Sequence, residues 1–164
     1  MQDKDVQEAI ERSIQTEKNA KDFYELCSRH LKNEAAIRTF QLLAREERDH
    51  AEWFFNVYEG GKIGSFEAFI AAEPSRESDW LGEKERQLLP TLDERKAMEL
   101  AMQKEQQLEK HLREMAARIT DPKVRAVYEA NAESTHNHYL LIESEYARLM
   151  GMVHETDIDT YVRE

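Results

Sequence analysis

A pair of matching polar patterns interrupts the apolar faces of long helical stretches in this chain. Each half contains a lone glutamate followed by a Glu-x-x-His pair, namely Glu17 with Glu47-x-x-His50, and Glu105 with Glu133-x-x-His136. The lone glutamates are 88 positions apart and the pairs are 86 apart. Glutamate and histidine three residues apart project from the same face of a helix. The repeated pattern therefore predicts four helices that bring these polar side chains together inside a bundle.

The composition agrees with an all-helical chain of one domain. The 164 residues include only 5 Gly and 3 Pro, and 35% of them are charged. Scarce helix breakers and abundant helix formers favour long helices with one apolar stripe each. We therefore expect an all-α bundle in residues 1–150.

The first half of the chain predicts an antiparallel helix pair. Apolar residues recur at alternating gaps of three and four over residues 3–31, which indicates a core-facing helix. A second such helix should begin after Asn33, a plausible N-cap, and end at Gly60-Gly61. Glu17, Glu47 and His50 occupy apolar-stripe positions in these two helices.

The second half repeats this arrangement after a long connection. Residues 59–92 hold four of the five glycines and two prolines, so they predict a crossover with a short helix near residues 66–72. A third helix should follow over residues 93–119, and Asp121-Pro122 should start a fourth. We expect this fourth helix to turn Glu133 and His136 inward, with Val127, Ala130, Leu140 and Ala147 on the same face. Gly151 should end it, which leaves residues 151–164 as a tail.

Two short-loop helix pairs joined by one long connection suggest an internal duplication. The evidence for this duplication is the matched positions of Glu17 with Glu105, Glu47 with Glu133, and His50 with His136. Four inward carboxylates would repel one another, and burial of a charged carboxylate is costly unless it is paired or coordinated. Two divalent cations would remove this cost. Carboxylate and imidazole ligands suit iron or manganese.

The motifs resemble those of the rubrerythrin group of ferritin-like di-iron proteins over about residues 1–150. The resemblance is carried by Phe40-x-x-Leu43-x-x-x-Glu47-x-x-His50 and by Glu17 with Phe23-Tyr24. It implies a ferritin-like antiparallel four-helix bundle with one long crossover between the second and third helices. It also implies two iron ions, with manganese or mixed occupancy possible. The implied ligands are Glu17, Glu47, His50, Glu105, Glu133 and His136, with Glu47 and Glu133 bridging the metals.

The sequence departs from this group in two ways. Cys27 is the only cysteine, so a four-cysteine rubredoxin module is excluded from this sequence and electrons would come from a separate donor protein. The group also places an additional glutamate one turn from the terminal ligand of the third helix. Met102 and Leu108 are the neighbours of Glu105 on that side, which puts the associated ligand exchange in doubt.

Three functions are consistent with the sequence. The leading hypothesis is an oxidoreductase that reduces peroxide or dioxygen, with Tyr24 as a candidate catalytic residue beside the metals. Packing in the core with a bonded hydroxyl is the simpler explanation of Tyr24. The alternatives are a ferroxidase that handles iron and a non-catalytic metal-binding interaction module.

Charge and hydropathy limit the partners that we expect. A net charge of −11 disfavours nucleic acid and anionic membrane surfaces. No apolar run has the length of a membrane-spanning segment, and the N-terminus is polar, so the cytoplasm is the expected location. The expected partners are a small-molecule oxidant, the electron donor, and a second copy of the chain in a homodimer.

Overall fold

Two antiparallel helix pairs form the body of the molecule. The computed structural model describes the backbone of residues 2–162 and the side chains of residues 2–151. Within this part of the chain there are helices and no strands. In order, they are α1 (Asp3–Ser28), α2 (Glu34–Phe55), α3 (Phe66–Ala71), α4 (Glu83–Leu88), a 3-10 helix (Leu89–Thr91), α5 (Glu94–Arg118) and α6 (Pro122–Val162). The predicted all-α four-helix bundle with one long crossover is confirmed.

Short capped turns join the helices within each pair. The side chain of Asn33 accepts a hydrogen bond from the Ala36 backbone N–H at 3.0 Å and so caps α2. Asp121 accepts hydrogen bonds from the backbone N–H groups of Lys123 and Val124, and Pro122 is the first residue of α6. Both caps satisfy N–H groups that a helix leaves without internal partners. The two predicted starts are therefore correct.

The apolar stripes of the four long helices meet in one continuous core. Its largest fully buried side chains include Tyr24, Phe40, Leu112, Tyr128 and Ile14. Aromatic rings pack edge to face between helices, as Tyr24 does against Phe40 at 5.3 Å and Phe54 against Tyr128 at 4.8 Å. Edge-to-face packing adds to the stabilisation that these rings gain from burial.

The crossover returns the chain to the end of the bundle where α1 turns into α2. It occupies residues 56–93, between α2 and α5. Glu94, the first residue of α5, accepts hydrogen bonds from the backbone N–H groups of Lys32 and Asn33 at 2.7 and 2.9 Å. Helix α5 therefore begins beside the α1–α2 turn. As a result the midpoints of α1, α2 and α5 lie at one level.

Helix α1 holds the crossover through a buried lysine. Lys18 is 3% exposed, and its Nζ lies 2.5 Å from Asp22 and donates to the backbone carbonyl of Ala72 at 2.9 Å. Trp80, also in the crossover, packs against Phe23 and Tyr24 at 5.4 and 5.8 Å between ring centroids. The crossover thus covers α1 beside the middle of the bundle.

Helix α6 is longer than the sequence pattern predicts. It continues through Gly151 to Val162, so the prediction that Gly151 ends the helix is wrong. A single glycine inside a helix costs about 1 kcal/mol relative to alanine, which neighbouring helix formers can offset. Residues 151–162 of the predicted tail belong to this helix, and residues 163–164 lie outside the described part of the chain. No helix in residues 2–162 has a stretch both long and apolar enough to cross a membrane.

The predicted inward face of α6 is also wrong. Among the side chains of α6 that the structure describes, the buried ones are Val124, Tyr128, Asn131, Ala132, Thr135, His138 and Ile142, whereas Ala130, Glu133, His136, Leu140 and Ala147 are exposed. Val127 is half-buried. Residues two positions apart on a helix differ by about 200°, so His136 and His138 point to opposite sides. Burial of Tyr128 and Ile142 fixes the rotation of α6 about its axis. With this rotation, the Glu133-x-x-His136 motif lies on the surface.

This rotation predicts losses of stability of very different size for two alanine substitutions in α6. Ile142→Ala removes a fully buried side chain and should lower the free energy of unfolding by about 2–5 kcal/mol. Leu140→Ala removes a side chain that is 46% exposed and should change it by about 0.5 kcal/mol or less. Denaturant unfolding of both variants measures the difference. A greater loss in Leu140→Ala would contradict the observed rotation.

Candidate metal centre

Five ionisable side chains from all four long helices converge in the middle of the bundle. They are Glu17 of α1, Glu47 and His50 of α2, Glu105 of α5 and His138 of α6, and none is more than 2% exposed. Each stands on the apolar stripe of its helix, so helix packing forces it inward. Four of the five are residues that the sequence predicted.

Glu47 lies between the two histidines. Its Oε1 is 2.8 Å from Nδ1 of His138 and 3.7 Å from Nδ1 of His50. The same His50 atom is 3.6 Å from Oε2 of Glu17, and the same His138 atom is 3.6 Å from Oε1 of Glu105. The imidazole rings are stacked with centroids 5.1 Å apart. Each histidine therefore faces one lone glutamate and shares Glu47 with the other histidine.

The outer nitrogen of each histidine is held by a second residue. Nε2 of His50 is 2.8 Å from the hydroxyl of Ser134, and Nε2 of His138 is 2.9 Å from Oε1 of Glu46. A carboxylate accepts hydrogen bonds, so Nε2 of His138 carries the proton in that contact. Such partners fix the ring orientation of metal-binding histidines and leave Nδ1 to face the metal. Neither Ser134 nor Glu46 is among the site residues predicted from the sequence.

Apart from the close approach of Glu47 Oε1 to His138 Nδ1, the inner atoms of the cluster make no hydrogen bonds. They include both carboxylate oxygens of Glu17 and of Glu47, Oε2 of Glu105, and Nδ1 of both histidines. Buried polar atoms are almost always hydrogen-bonded, and exceptions call for an explanation. Carboxylate oxygens and imidazole nitrogens are the ligand atoms that iron and manganese take in proteins. The side chains therefore fit a metal centre, and three of them, Glu47, His50 and His138, offer ligand atoms that lie within 4.8 Å of one another.

Burial and like charges perturb the protonation of this cluster. Burial raises the pKa of Glu47 well above its ordinary value, and the carboxylates of Glu17 and Glu105 raise it further. Burial alone would lower the pKa of His138, but its contacts with Glu105, Glu46 and Glu47 outweigh burial and raise that pKa. Without cations, protons therefore balance part of the carboxylate charge. Metal ions would replace those protons.

Glu133 and His136 are not part of this cluster. Glu133 is exposed, and His136 is 46% exposed, with Nδ1 3.0 Å from Oε1 of Glu109 on the neighbouring helix α5. The same Glu109 carboxylate pairs with Arg113 at 2.7 Å. The predicted inward placement of both residues is therefore wrong, and their implied role as ligands has no support in the geometry.

His138 occupies the position in the cluster that was predicted for His136. His138 lies on the face of α6 opposite to His136, so a prediction that turns His136 inward turns His138 outward. The spacing contained the missing signal, since Glu17 and Glu105 are 88 positions apart and so are His50 and His138. The spacing of 86 between the two Glu-x-x-His pairs departs from this repeat by two residues, enough to reverse the face of a helix.

Tyr24 contacts the cluster from the side of the crossover. Its hydroxyl donates a hydrogen bond to Oε1 of Glu105 at 2.5 Å, and its ring is fully buried beside Trp80. Burial raises the pKa of Tyr24 well above its ordinary value, and the nearby carboxylates of Glu105 and Glu47 raise it further. Tyr24 therefore stays a neutral donor that orients Glu105. The structure gives it a positioning contact to a candidate ligand.

Comparison with known proteins gives one clear assignment. The family model described as Rubrerythrin matches residues 8–146, which is most of the chain and includes all five clustered residues. No curated protein and no solved structure matches the chain.

The geometry predicts which histidines are needed for metal. His50→Ala and His138→Ala should each weaken Fe(II) binding by at least about tenfold, because each removes an imidazole from the buried cluster. His136→Ala is the matched control and should bind as the unmodified chain does. Anaerobic equilibrium dialysis at a free Fe(II) concentration that nearly saturates the unmodified chain measures the bound iron. Loss of iron in His136→Ala alone would contradict the assignment.

Proposed function

The chain belongs to the rubrerythrin family, and on that basis we propose that it is a non-haem di-iron oxidoreductase that reduces peroxide or dioxygen. Support for the proposal comes from one observation above all. Glu47 stands between two histidines whose inner nitrogens face the cluster carboxylates and whose outer nitrogens are held in place. This arrangement suits two ions that share one carboxylate.

The contacts suggest how the ligands divide. Glu17 and His50 would hold one ion, because they approach each other and lie on the neighbouring helices α1 and α2. Glu105 and His138 would hold the other, from α5 and α6. Glu47 would contact both ions. This set contains three carboxylates and two imidazoles, in place of the four carboxylates that the family resemblance implied.

Two ferrous ions bound here would supply the two electrons that convert peroxide, with two protons, into two molecules of water. The protein's part is to fix the ligands, exclude bulk water and place protons. Burial of every ligand at 2% exposure or less keeps the centre out of bulk solvent and restricts the oxidant to a small molecule. The hydroxyl of Tyr24 keeps Oε1 of Glu105 occupied and leaves Oε2 free for a metal.

Regeneration of the ferrous state needs a reductant. Cys27 is buried and is the only cysteine, so the sequence offers no rubredoxin-type iron site of its own. We propose that a separate electron-donor protein reduces the centre. Release of the oxidised iron instead of its reduction would mark the alternative function, a ferroxidase that handles iron.

In the first test the chain is loaded with Fe(II) under anaerobic conditions. It is then mixed rapidly with peroxide and, in a separate experiment, with dioxygen. The ferrous protein should be oxidised faster than free Fe(II) by at least one of these oxidants, and the ferric iron should stay bound and accept electrons again from a chemical reductant. Absorbance in stopped-flow and the iron content after gel filtration measure both features. His136→Ala should behave like the unmodified chain, since this side chain is outside the cluster.

Two outcomes would contradict the proposal. Oxidation no faster than that of free Fe(II) would favour a non-catalytic metal-binding module. Fast oxidation followed by loss of the ferric iron would favour the ferroxidase.

Tyr24→Phe tests the positioning of Glu105. It removes one hydroxyl while the ring keeps its packing, so the chain should still fold and bind iron. Oxidation of the ferrous protein should slow by about tenfold, because Glu105 loses the contact that orients it. The iron isotherm and the stopped-flow rate, measured on the same preparation, separate positioning from loss of metal. An unchanged rate at full occupancy would remove Tyr24 from the account.

A further inference from the structure

Helix α2 presents four exposed side chains in one stripe along its surface. Leu42, Glu46, Asp49 and Trp53 follow one another at gaps of four, three and four residues, so their side chains share one side of the helix. Leu42 and Trp53 are 37% and 41% exposed, and the side chains of Glu46 and Asp49 are 40% and 60% exposed. These four residues form the α2 face.

Two members of the α2 face contact the histidines of the candidate metal centre. The indole ring of Trp53 lies against the imidazole of His50, with ring centroids 5.0 Å apart and planes tilted by 38°. The carboxylate of Glu46 accepts a hydrogen bond from Nε2 of His138 at 2.9 Å. Both imidazoles are at most 2% exposed. A single side chain of α2 therefore connects each buried histidine with the protein surface.

Trp53 is an aromatic connection between the cluster and the surface. Its ring is in contact with the imidazole of His50, whose Nδ1 faces the carboxylates of the cluster. Tyr24 contacts the cluster as well, but in the part of the chain that the structure describes it packs against aromatic rings that are at most 3% exposed. The ring of Trp53 is therefore open to a partner protein, whereas the neighbours of Tyr24 are covered.

The burial of the centre sets a requirement on its reduction. Every candidate ligand is at most 2% exposed, so the redox group of a donor protein stays outside the bundle. The rate of electron tunnelling falls exponentially with distance, and it falls less steeply through aromatic rings in contact than across a gap. The stacked pair of Trp53 and His50 thus provides a route of two rings from the surface to the cluster.

The charges around the exposed indole favour one kind of partner. Tryptophan is among the residues that contribute most to binding at protein interfaces, and a charged surround attracts a partner of opposite sign. The chain as a whole has a net charge of −11. On and beside the α2 face the carboxylates of Glu46, Asp49, Glu52 and Glu67 outnumber the guanidinium groups of Arg45 and Arg48.

We propose that Trp53 is the point at which electrons enter the candidate metal centre, and that the α2 face docks a one-electron donor protein with a basic surface. In each encounter the donor loses one electron, which passes through the rings of Trp53 and His50 and reduces one ferric ion to ferrous. Two encounters restore both ions, and no bond forms or breaks at Trp53. This inference rests on the proposed function, which needs an external reductant, and adds the place where that reductant binds.

Zinc-substituted cytochrome c, a basic protein whose photoexcited state donates one electron, is a suitable probe. A laser flash on an anaerobic mixture with the ferric-loaded chain starts the transfer, and the decay of the excited state measures its rate. The metal-free chain gives the decay without an electron acceptor. The dependence of the rate on the concentration of the chain gives a dissociation constant for docking and a limiting rate within the complex.

Trp53→Leu should lower the limiting rate by at least about tenfold, because it removes the ring that contacts His50. Trp53→Phe keeps a ring at this position and should recover part of the rate. Both variants should retain the iron of the unmodified chain, and dithionite should reduce both to the same ferrous end point.

Two variants on the same stripe separate docking from electron transfer. Asp49→Lys should raise the dissociation constant and leave the limiting rate unchanged, because Asp49 pairs with Arg48 and not with a ligand. Leu42→Ala is the matched control for loss of an exposed apolar side chain from the α2 face, and it should keep the limiting rate. Iron content and circular dichroism verify that each variant is loaded and folded.

Four results would overturn the inference. They are an unchanged limiting rate in iron-loaded Trp53→Leu, loss of iron from that variant, docking that is absent or unaffected by Asp49→Lys, and conversion of a dimer into a monomer by Trp53→Leu in analytical ultracentrifugation. The last result would assign the α2 face to a second copy of the chain. Oxidation of the ferrous chain no faster than that of free Fe(II) would overturn the proposed function and leave these reduction rates as they are.

Discussion

The burial of three carboxylates in the apolar middle of a helical bundle is the constraint on which this structure depends. Glu17, Glu47 and Glu105 are at most 1% exposed, and most of their oxygens have no hydrogen-bond partner. An ionised carboxylate in such surroundings is strongly unfavourable unless cations or protons compensate it. The two imidazoles and the raised pKa of Glu47 supply part of the compensation. Divalent cations would supply the rest, and the helix packing that surrounds the cluster would then hold their ligands without rearrangement.

The long crossover makes this convergence possible. It delivers the start of α5 to the α1–α2 turn, where Glu94 binds the backbone of that turn. Because each helix rises by about 1.5 Å per residue, a shift of the start by a few residues would move Glu105 away from the level of Glu47. The hydrogen bond from buried Lys18 to the Ala72 carbonyl and the packing of Trp80 on α1 hold the crossover in place. Trp80 of the crossover also packs against Tyr24, and Tyr24 donates a hydrogen bond to Glu105. Tyr24 therefore links the crossover to the candidate metal centre.

The bundle, the crossover, both capped turns and four of the five clustered residues could be predicted from the sequence, because periodic apolar stripes and caps are local signals. The inward face of α6 was predicted wrongly, because two features of its sequence disagreed. The Glu133-x-x-His136 motif suggested one face, whereas Tyr128, Ile142 and the constant spacing of 88 indicated the opposite one. Burial of apolar side chains along a whole helix outweighs one polar motif, so the helix took the rotation that buries them. The contacts of Ser134 and Glu46 with the outer nitrogens of His50 and His138 depend on packing between helices that are distant in the sequence. A single sequence does not reveal this packing.

Diffraction from crystals of the iron-loaded chain, recorded on both sides of the iron absorption edge, tests the metal centre most directly. The account predicts anomalous density on both sides of Glu47, one peak beside Glu17 and His50 and the other beside Glu105 and His138. It predicts no iron beside Glu133 and His136. Iron bound at those surface residues, or a central space without anomalous density in loaded crystals, would contradict the account.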